Sequence, residues 1–436
     1  MPRRSAYATL NPMSENVDLL IHSAKQVCIV PAMEGKPQRG NSLGSLGLID
    51  NGAVAVRGGK IVAVGESQTV RAAHTPVEEI DATGCVVIPG FVDPHTHLVW
   101  AGDRAAEFEM RIAGATYMEI MAAGGGINNT VQRTRAASVD DLIAETHPRL
   151  DRMLALGTTT VEIKTGYGLD TATEIKQLEA IYKLNASHPM DIIATFLGAH
   201  AVPPEYAGRT DAYVDKLISE MIPAIAAFAK AQGQPPPFLD VFCEEGVFDV
   251  DQTRRIFEAG QQHGMALKLH ADEFVGLGGT KLAAEMGAVS VDHLVQTPKA
   301  DIRALGQHDT VAVSLPATPF GLGHCEYTPA RQILDAGGAL ALATDCNPGT
   351  AWCESMQLVI ALACRYLKLT QAQAIAASTI NAAFAVGCGD QFGSLEVGKQ
   401  ADLLVLNIPD YKHLGYRFGD NLVKVVVKAG QVHLWK

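Results

Sequence analysis

The sequence is short of the features that mark several whole classes of protein. Aromatic residues make up only 6% of its 436 positions, and no stretch reaches the roughly 18 uninterrupted apolar residues of a membrane span. No basic run extends beyond Arg3-Arg4, and 35 basic against 47 acidic residues leave a formal charge of −12, so the phosphate-neutralising surface of a nucleic-acid binder is missing. The first seventeen residues lack the apolar segment of a secretory signal and read as a polar, frayed tail. The eight cysteines, at 28, 85, 243, 325, 346, 353, 364 and 388, include no CxxC pair. In a chain too large to need disulfide staples they read as reduced thiols of a cytoplasmic protein, mostly core residues.

What is present is a globular composition, 47% hydrophobic and 19% charged, with 41 glycines for tight turns. Residues 17–30 and 51–64 read as short strands, the second turning at Arg57-Gly58-Gly59-Lys60. The C-terminal forty residues have the same character, with strands at 403–406 and 422–427. The two ends are expected to make one small β domain, 18–88 with 391–436. Between them, apolar β-rich runs fall at 85–92, 158–163, 191–197, 239–242, 266–269, 288–291, 310–315 and 339–343, separated by helical patterns such as 250–263 and 371–385. Near-continuous hydrophobic strands alternating with helices fit a parallel sheet buried on both faces, and eight such units close a (β/α)8 TIM barrel, here 89–390. A doubly wound open sheet is the alternative.

In a barrel, side chains at the C-terminal ends of the strands converge on one mouth. Polar residues follow the expected strands there: His95-Thr-His97, His200, His270-Ala-Asp-Glu273, Asp292-His293 and Asp345. With 14 histidines in the chain a His-x-His pair alone is weak, but side chains two apart on a strand end point the same way. His95 and His97 are thus placed to grip one ion while His270 and Asp345 close the shell. Three imidazoles and a carboxylate suit zinc, or iron with open positions. Lys164 follows the second strand, and the fourth ends in Phe-Cys-Glu-Glu without a lysine, so a carboxylated lysine bridging two metals is disfavoured and one divalent ion per chain is expected. Glu244 and Glu245 read as solvated loop carboxylates, with a polar contact at the mouth as the alternative. Gly276-Leu-Gly-Gly-Thr-Lys281 has the wrong spacing for a phosphate loop and reads as a helix start.

Phe-Val-Asp-Pro-His-Thr-His (91–97), Leu-His-Ala-Asp-Glu (269–273) and Ala-Thr-Asp (343–345) resemble the metal-dependent amidohydrolase superfamily. Longer motifs are similar to those of one family within it, the imidazolonepropionases of histidine degradation. They are Thr-His-Leu-Val-Trp-Ala-Gly-Asp-Arg (96–104), Gly-Ala-Thr-Tyr-Met-Glu (114–119), Ala-Gly-Gly-Gly-Ile (123–127), Glu-Ile-Lys-Thr-Gly-Tyr-Gly-Leu (162–169), Gly-Ala-His-Ala-Val-Pro (198–203) and Thr-Asp-Cys-Asn-Pro-Gly-Thr (344–350). The resemblance runs from about residue 18 to the end. Thr165 and Thr350 stand where serine is common in that family.

The resemblance implies a barrel with a small β domain from both termini, one zinc or iron ion on His95, His97, His270 and Asp345, and substrate contacts from Arg104, Tyr167, His200, Glu273, Asn347, Gly349 and Thr350. It further implies hydrolysis of 4-imidazolone-5-propanoate to N-formimino-L-glutamate. Glu273 then serves as proton shuttle with His293 beside it, Arg104 clamps the propanoate, and Asn347 and Gly349 offer amide groups. The plainer reading of Arg104 pairs it with Asp103 or Glu107. The implied partner is a small molecule, with neither nucleic acid nor membrane, and a homodimer is compatible with the sequence. Two rivals share the architecture: an aminohydrolase acting on a nucleobase-like ring, and a scaffold that has lost its chemistry. The presence of Arg104 and Gly-Tyr-Gly speaks against the first, and the complete set of ligand residues against the second.

Overall fold

A computed structural model of the chain describes residues 14–115, 119 and 124–435. The tail 1–13, Thr116, Tyr117 and Met118 of the 114–119 motif, and Ala123 of the 123–127 motif lie outside the described residues. The N-terminal segment up to Pro89 forms five strands of one sheet: β1 (Glu15–Cys28), β2 (Leu48–Arg57), β3 (Lys60–Glu66), β4 (His74–Asp81) and β5 (Val86–Pro89). Eight further strands follow: β6 (Phe91–Thr96), β7 (Thr158–Lys164), β8 (Asp191–Ala199), β9 (Phe238–Cys243), β10 (Lys268–Ala271), β11 (Ser290–His293), β12 (Val311–Ser314) and β13 (Ala339–Leu342). The chain ends in β14 (Leu403–Leu406), β15 (Val423–Lys428) and β16 (Gln431–Trp435).

Strands β6 to β13 are parallel and pair in sequence order, each buried along its length apart from partly exposed positions in β8 and β9. The backbone bridge Thr96 to Cys346 brings the first strand against the segment leaving the eighth, so the sheet closes as the expected (β/α)8 barrel rather than an open doubly wound sheet. The helices between strands are apolar on one face. That at Val250–Gln262, for example, buries Ile256, Phe257 and Ala259 and starts at a reciprocal capping pair of Asp249 and Gln252.

The second sheet runs β16-β15-β14-β5-β1-β2-β3, with β4 parallel to the first half of β1. Both termini therefore share one layer, with a core of Leu19, Ile21, Val54, Val56, Val87, Leu403, Val405 and Val425 among others. Glu15 and Asn16, assigned from sequence to a frayed tail, are instead the start of β1, paired alongside His74 and Thr75.

The run 85–92 is two strands, not one. Val86–Pro89 pairs with β14 in the terminal sheet and Phe91–Thr96 begins the barrel. Gly90 is the joint: a Cβ there would sit 2.2 Å from the Thr159 hydroxyl, so only glycine lets the chain pass from one sheet to the other. The alanine-rich stretch 371–385 is likewise two helices, Gln371–Ala377 and Ile380–Ala385. The hydroxyls of Ser378 and Thr379 donate back to the carbonyls of Ala374 and Ile375, a competing bond that ends the first helix. Segment 29–47, grouped by sequence with the sheet, reaches across to the barrel: Gln38 exchanges hydrogen bonds with Asn381, and Arg39 donates to the carbonyls of Leu305, Gly337 and His308.

Candidate active site

The polar residues singled out in the sequence lie at the C-terminal mouth of the barrel. His95 is within β6 and His97 just past it; His200 directly follows β8, and Asp345 lies three residues beyond β13. His270 and His293 were expected after their strands but are inside β10 and β11, where His293 still pairs in register with Ala271. Polar side chains end a hydrophobic pattern without ending the backbone ladder. Two short backbone bonds set the ligand rows against each other: Asp345 N to His95 O at 3.1 Å and His97 N to Cys346 O at 2.9 Å. Asp345 and His293 hold left-handed backbone at φ 54° and 78°, a strained state for non-glycine residues of the kind found at functional sites.

The donor atoms converge tightly. His95 Nε2 is 3.4 Å and His97 Nε2 3.5 Å from Asp345 Oδ1, and His97 Nε2 is 3.4 Å from His270 Nε2. Donors bound at about 2.1 Å to one tetrahedral ion lie about 3.4 Å apart, so these spacings are those of a metal cage. The groups are buried, and His95 Nε2 has no hydrogen-bond partner among the described residues, an expensive omission unless a cation takes its lone pair. His95, His270 and His293 make a second convergent triplet.

The far sides of the rings are braced. His95 Nδ1 donates to Asp292 Oδ2 at 2.6 Å, leaving Nε2 bare toward the centre. His270 Nδ1 lies 2.9 Å from Asp240 Oδ2, although off the line of an ideal N–H···O bond, and its backbone N donates to Asp240 Oδ1. Carboxylates behind imidazoles fix the tautomer that a metal requires. Burial, with Lys164 adding for His95 and His200 for His97, pulls both histidines well below their ordinary range, so they are neutral. Burial pushes Asp345 up to about 6 against the opposing hydrogen bond from the Thr318 hydroxyl.

The pocket over this cluster has a volume of about 440 Å³ and is lined by Arg104, Tyr167, His200, Glu273, His293, Asn347, Gly349 and Thr350 together with His97, His270 and Asp345. Glu273 Oε2 lies 3.7 Å from His293 Nδ1. Burial, then the negative charges of Asp345 and Glu244, raise its carboxyl well above the ordinary range, while burial and His270 depress His293. His200 Nδ1 donates to Gly166 O, which leaves its Nε2 as an acceptor. Burial lowers that imidazole to about 3.

Arg104 meets both readings of it. Its Nε donates to Glu107 Oε2 at 2.8 Å while the rest of the guanidinium lines the pocket, packed so closely over Gly349 that a Cβ there would be 2.2 Å from Nη1. Asn347 and Gly349, expected to offer amides to a ligand, both line the pocket. The Asn347 carboxamide is committed to its own loop, accepting from Gly349 N and Thr350 N and donating to Asp345 O. It shapes the wall that carries Asp345.

Other residues gain roles that the motifs did not give them. Glu244 is no solvated carboxylate: it is buried and accepts from the backbone N–H groups of Phe274 and Val275, fastening the loop that carries Glu273, whereas Glu245 is exposed. Glu107, besides holding Arg104, accepts from Gly126 N at 3.0 Å. Asp240 stood inside an apolar run with no signal of its own. All eight cysteines are free thiols, five of them buried, and no helix among the described residues is long and apolar enough to cross a membrane.

Models of the amidohydrolase family match residues 249–433 and 78–137, and one for a bacterial imidazolonepropionase-like composite domain matches 52–75. The chain is 57% identical over 398 residues to the imidazolonepropionase of Herpetosiphon aurantiacus, covering 91% of this chain and 93% of that one. It is 50% identical to that of Chloroflexus aggregans, over 96% and 99% of the two chains. Among solved structures it is similar to an adenosine deaminase from Xanthomonas campestris with bound zinc, at TM-score 0.69, 20% identity, and 97% and 94% coverage. A triazine hydrolase variant gives TM-score 0.74 at 17% identity, covering 96% and 94% of the chains. At such identities these neighbours speak to the fold alone.

Proposed function

The chain belongs to the imidazolonepropionase family of amidohydrolases, and we propose from that premise that it hydrolyses the ring amide bond of 4-imidazolone-5-propanoate to N-formimino-L-glutamate, a step of histidine degradation. The observation that carries the reading is the shared pocket, whose lining brings His97, His270 and Asp345 of the four-residue cluster together with one guanidinium, that of Arg104. A nucleobase deaminase would have the first feature and no need of the second.

His95, His97, His270 and Asp345 fit one divalent ion by spacing and by the bare Nε2 of His95, and three imidazoles with one carboxylate suit zinc or ferrous iron. When bound, such an ion supplies Lewis acidity and brings water ionisation down to about pH 7. Arg104 binds the propanoate through its guanidinium fork, since the protein at −12 offers an anion little attraction elsewhere. Tyr167 and His200 flank the ring with a hydroxyl and a bare imidazole nitrogen. Glu273 takes the proton of the attacking water and returns it to the departing ring nitrogen, a task suited to a carboxyl raised by burial. His293 stands beside it at the oxygen where negative charge develops. The low exposure of the site strengthens each of these interactions.

The eight free thiols support a reducing, cytoplasmic location. The direct test is incubation of the zinc- or iron-loaded protein with imidazolone propanoate and identification of the product. Formation of N-formimino-glutamate is expected. Release of ammonia from a nucleobase, with the imidazolone untouched, would transfer the protein to the deaminases.

A further inference from the structure

Beneath the cluster, barrel strands two, four and six each send one ionisable side chain into the same part of the interior: Lys164 from β7, Asp240 from β9 and Asp292 from β11, all fully buried. Alternate strands fill a common layer in such barrels. The Lys164 ammonium donates to Asp240 Oδ2 at 2.7 Å and to Glu162 Oε1 at 2.8 Å, and lies 3.6 Å from Asp292 Oδ2. The same oxygens of Asp240 and Asp292 are those facing His270 Nδ1 and His95 Nδ1.

We propose that Lys164 is a positioning residue for the metal centre, one buried ammonium fixing the carboxylates of Asp240 and Asp292 and through them the ring orientation of His270 and His95. It rests on the reading of His95, His97, His270 and Asp345 as ligands.

The competing explanation for a lysine here, carboxylation to bridge a second ion, meets the wrong surroundings: a carbamate would be a further anion among Glu162, Asp240 and Asp292. As an ammonium the same residue is held charged. Burial opposes the charge, but Asp240, Glu162 and Asp292 outweigh it. Lys268 does not duplicate the role. It stands 4.0 Å from Asp292 and donates to the carbonyls of Pro94 and Ala385 at 3.1 Å. The two arms are unequal. Asp240 receives a direct bond from Lys164, whereas Asp292 feels its charge at longer range and is also held by the Ser290 hydroxyl at 2.7 Å. The His270 arm therefore depends on Lys164 more than the His95 arm does.

The test compares wild type with Lys164→Gln, Glu162→Gln and the double variant, reading zinc affinity by competition with a fluorescent chelator. Removing one carboxylate along with the ammonium leaves the buried charge of the double variant equal to that of wild type, which keeps the comparison available if Lys164→Gln alone does not fold. Glu162→Gln is expected to bind zinc about as wild type does. Both variants lacking Lys164 are expected to bind it about 10- to 100-fold more weakly, the usual scale for outer partners of a metal site, at unchanged stoichiometry. Full recovery of affinity in the double variant would reduce Lys164 to charge balance and overturn the proposal. A wild type that takes up no zinc would instead defeat the ligand reading, and the proposal with it. In metal-free wild type, ¹⁵N-histidine spectra should show His95 and His270 carrying their proton on Nδ1. An Nε2–H signal from His270 would break the relay independently of any variant.

Discussion

In the proposed reaction Arg104 and Glu273 carry the two decisions at residue scale, which substrate is held and which proton moves. Arg104 is largely buried and already oriented by Glu107, so, if it binds the propanoate as proposed, its loss deletes a charge-assisted hydrogen bond of about 1.5–3 kcal/mol. At about 1.4 kcal/mol per tenfold, Arg104→Ala should lower kcat/KM by about 10- to 150-fold, mostly through KM because the tail is remote from the scissile bond. Steady-state kinetics on the substrate and on an analogue without the carboxylate check this: wild type discriminates strongly, the variant does not. Glu273→Gln keeps size and removes the base. It should retain its metal yet lose about 10²-fold or more in kcat, and near-normal turnover would move the role to His293. Metal uptake should itself depend on pH. His95 and His97 are neutral and release no proton, but Asp345, pushed up to about 6 by burial, must lose one to bind. The sign follows: below about pH 6 protonation of this carboxyl weakens zinc binding about tenfold per unit of acid, a contribution that fades above it. Chelator competition between about pH 5 and 8 reads this directly. At this scale the sequence was eloquent, because chemistry-bearing residue types stand out of an apolar background. It was silent on Asp240 and gave Glu244 no partners, because the neighbours of both in space are distant in sequence.

At the scale of the element, hydrophobic pattern located all eight barrel strands but not where one sheet hands over to another. Residues 85–92 are apolar throughout because both sheets bury them, so no change of pattern marks the crossing at Gly90. The position makes a stability prediction. Gly90→Ala forces a methyl to within 2.2 Å of the Thr159 hydroxyl between two packed sheets, and overpacking of this kind costs about 1–3 kcal/mol. A lowered thermal midpoint is expected, with zinc stoichiometry unchanged in the protein that remains folded. The two-residue offset of β10 and β11 has a simple origin. A sequence pattern reports burial, and a ladder of backbone bonds continues past the last apolar side chain.

For the whole molecule, the question is what fixes the terminal sheet to the barrel. Lys428, near the chain's end, reaches Asp191 at the start of β8 with 2.5 Å and Asp402 beside β14 with 2.6 Å, itself only 3% exposed. Lys428→Met would strand the buried Asp402 carboxylate without its cation, a loss of about 3–5 kcal/mol for a broken buried pair. Calorimetry should show a markedly lower thermal midpoint, and a midpoint within error of wild type would mean that this ion pair does not hold the two layers together. By itself the sequence determined the alternation of strand and helix, the count of eight, the β character of both ends and the residue types of a metal hydrolase, since each is a local matter of periodicity or of chemistry that few side chains supply. Only the tertiary structure decided that Asp292 and Asp240 stand behind His95 and His270 and that Lys164 joins them. Those are relations between strands far apart in the chain, and they exist only once closing the barrel has brought its alternate strands around one axis.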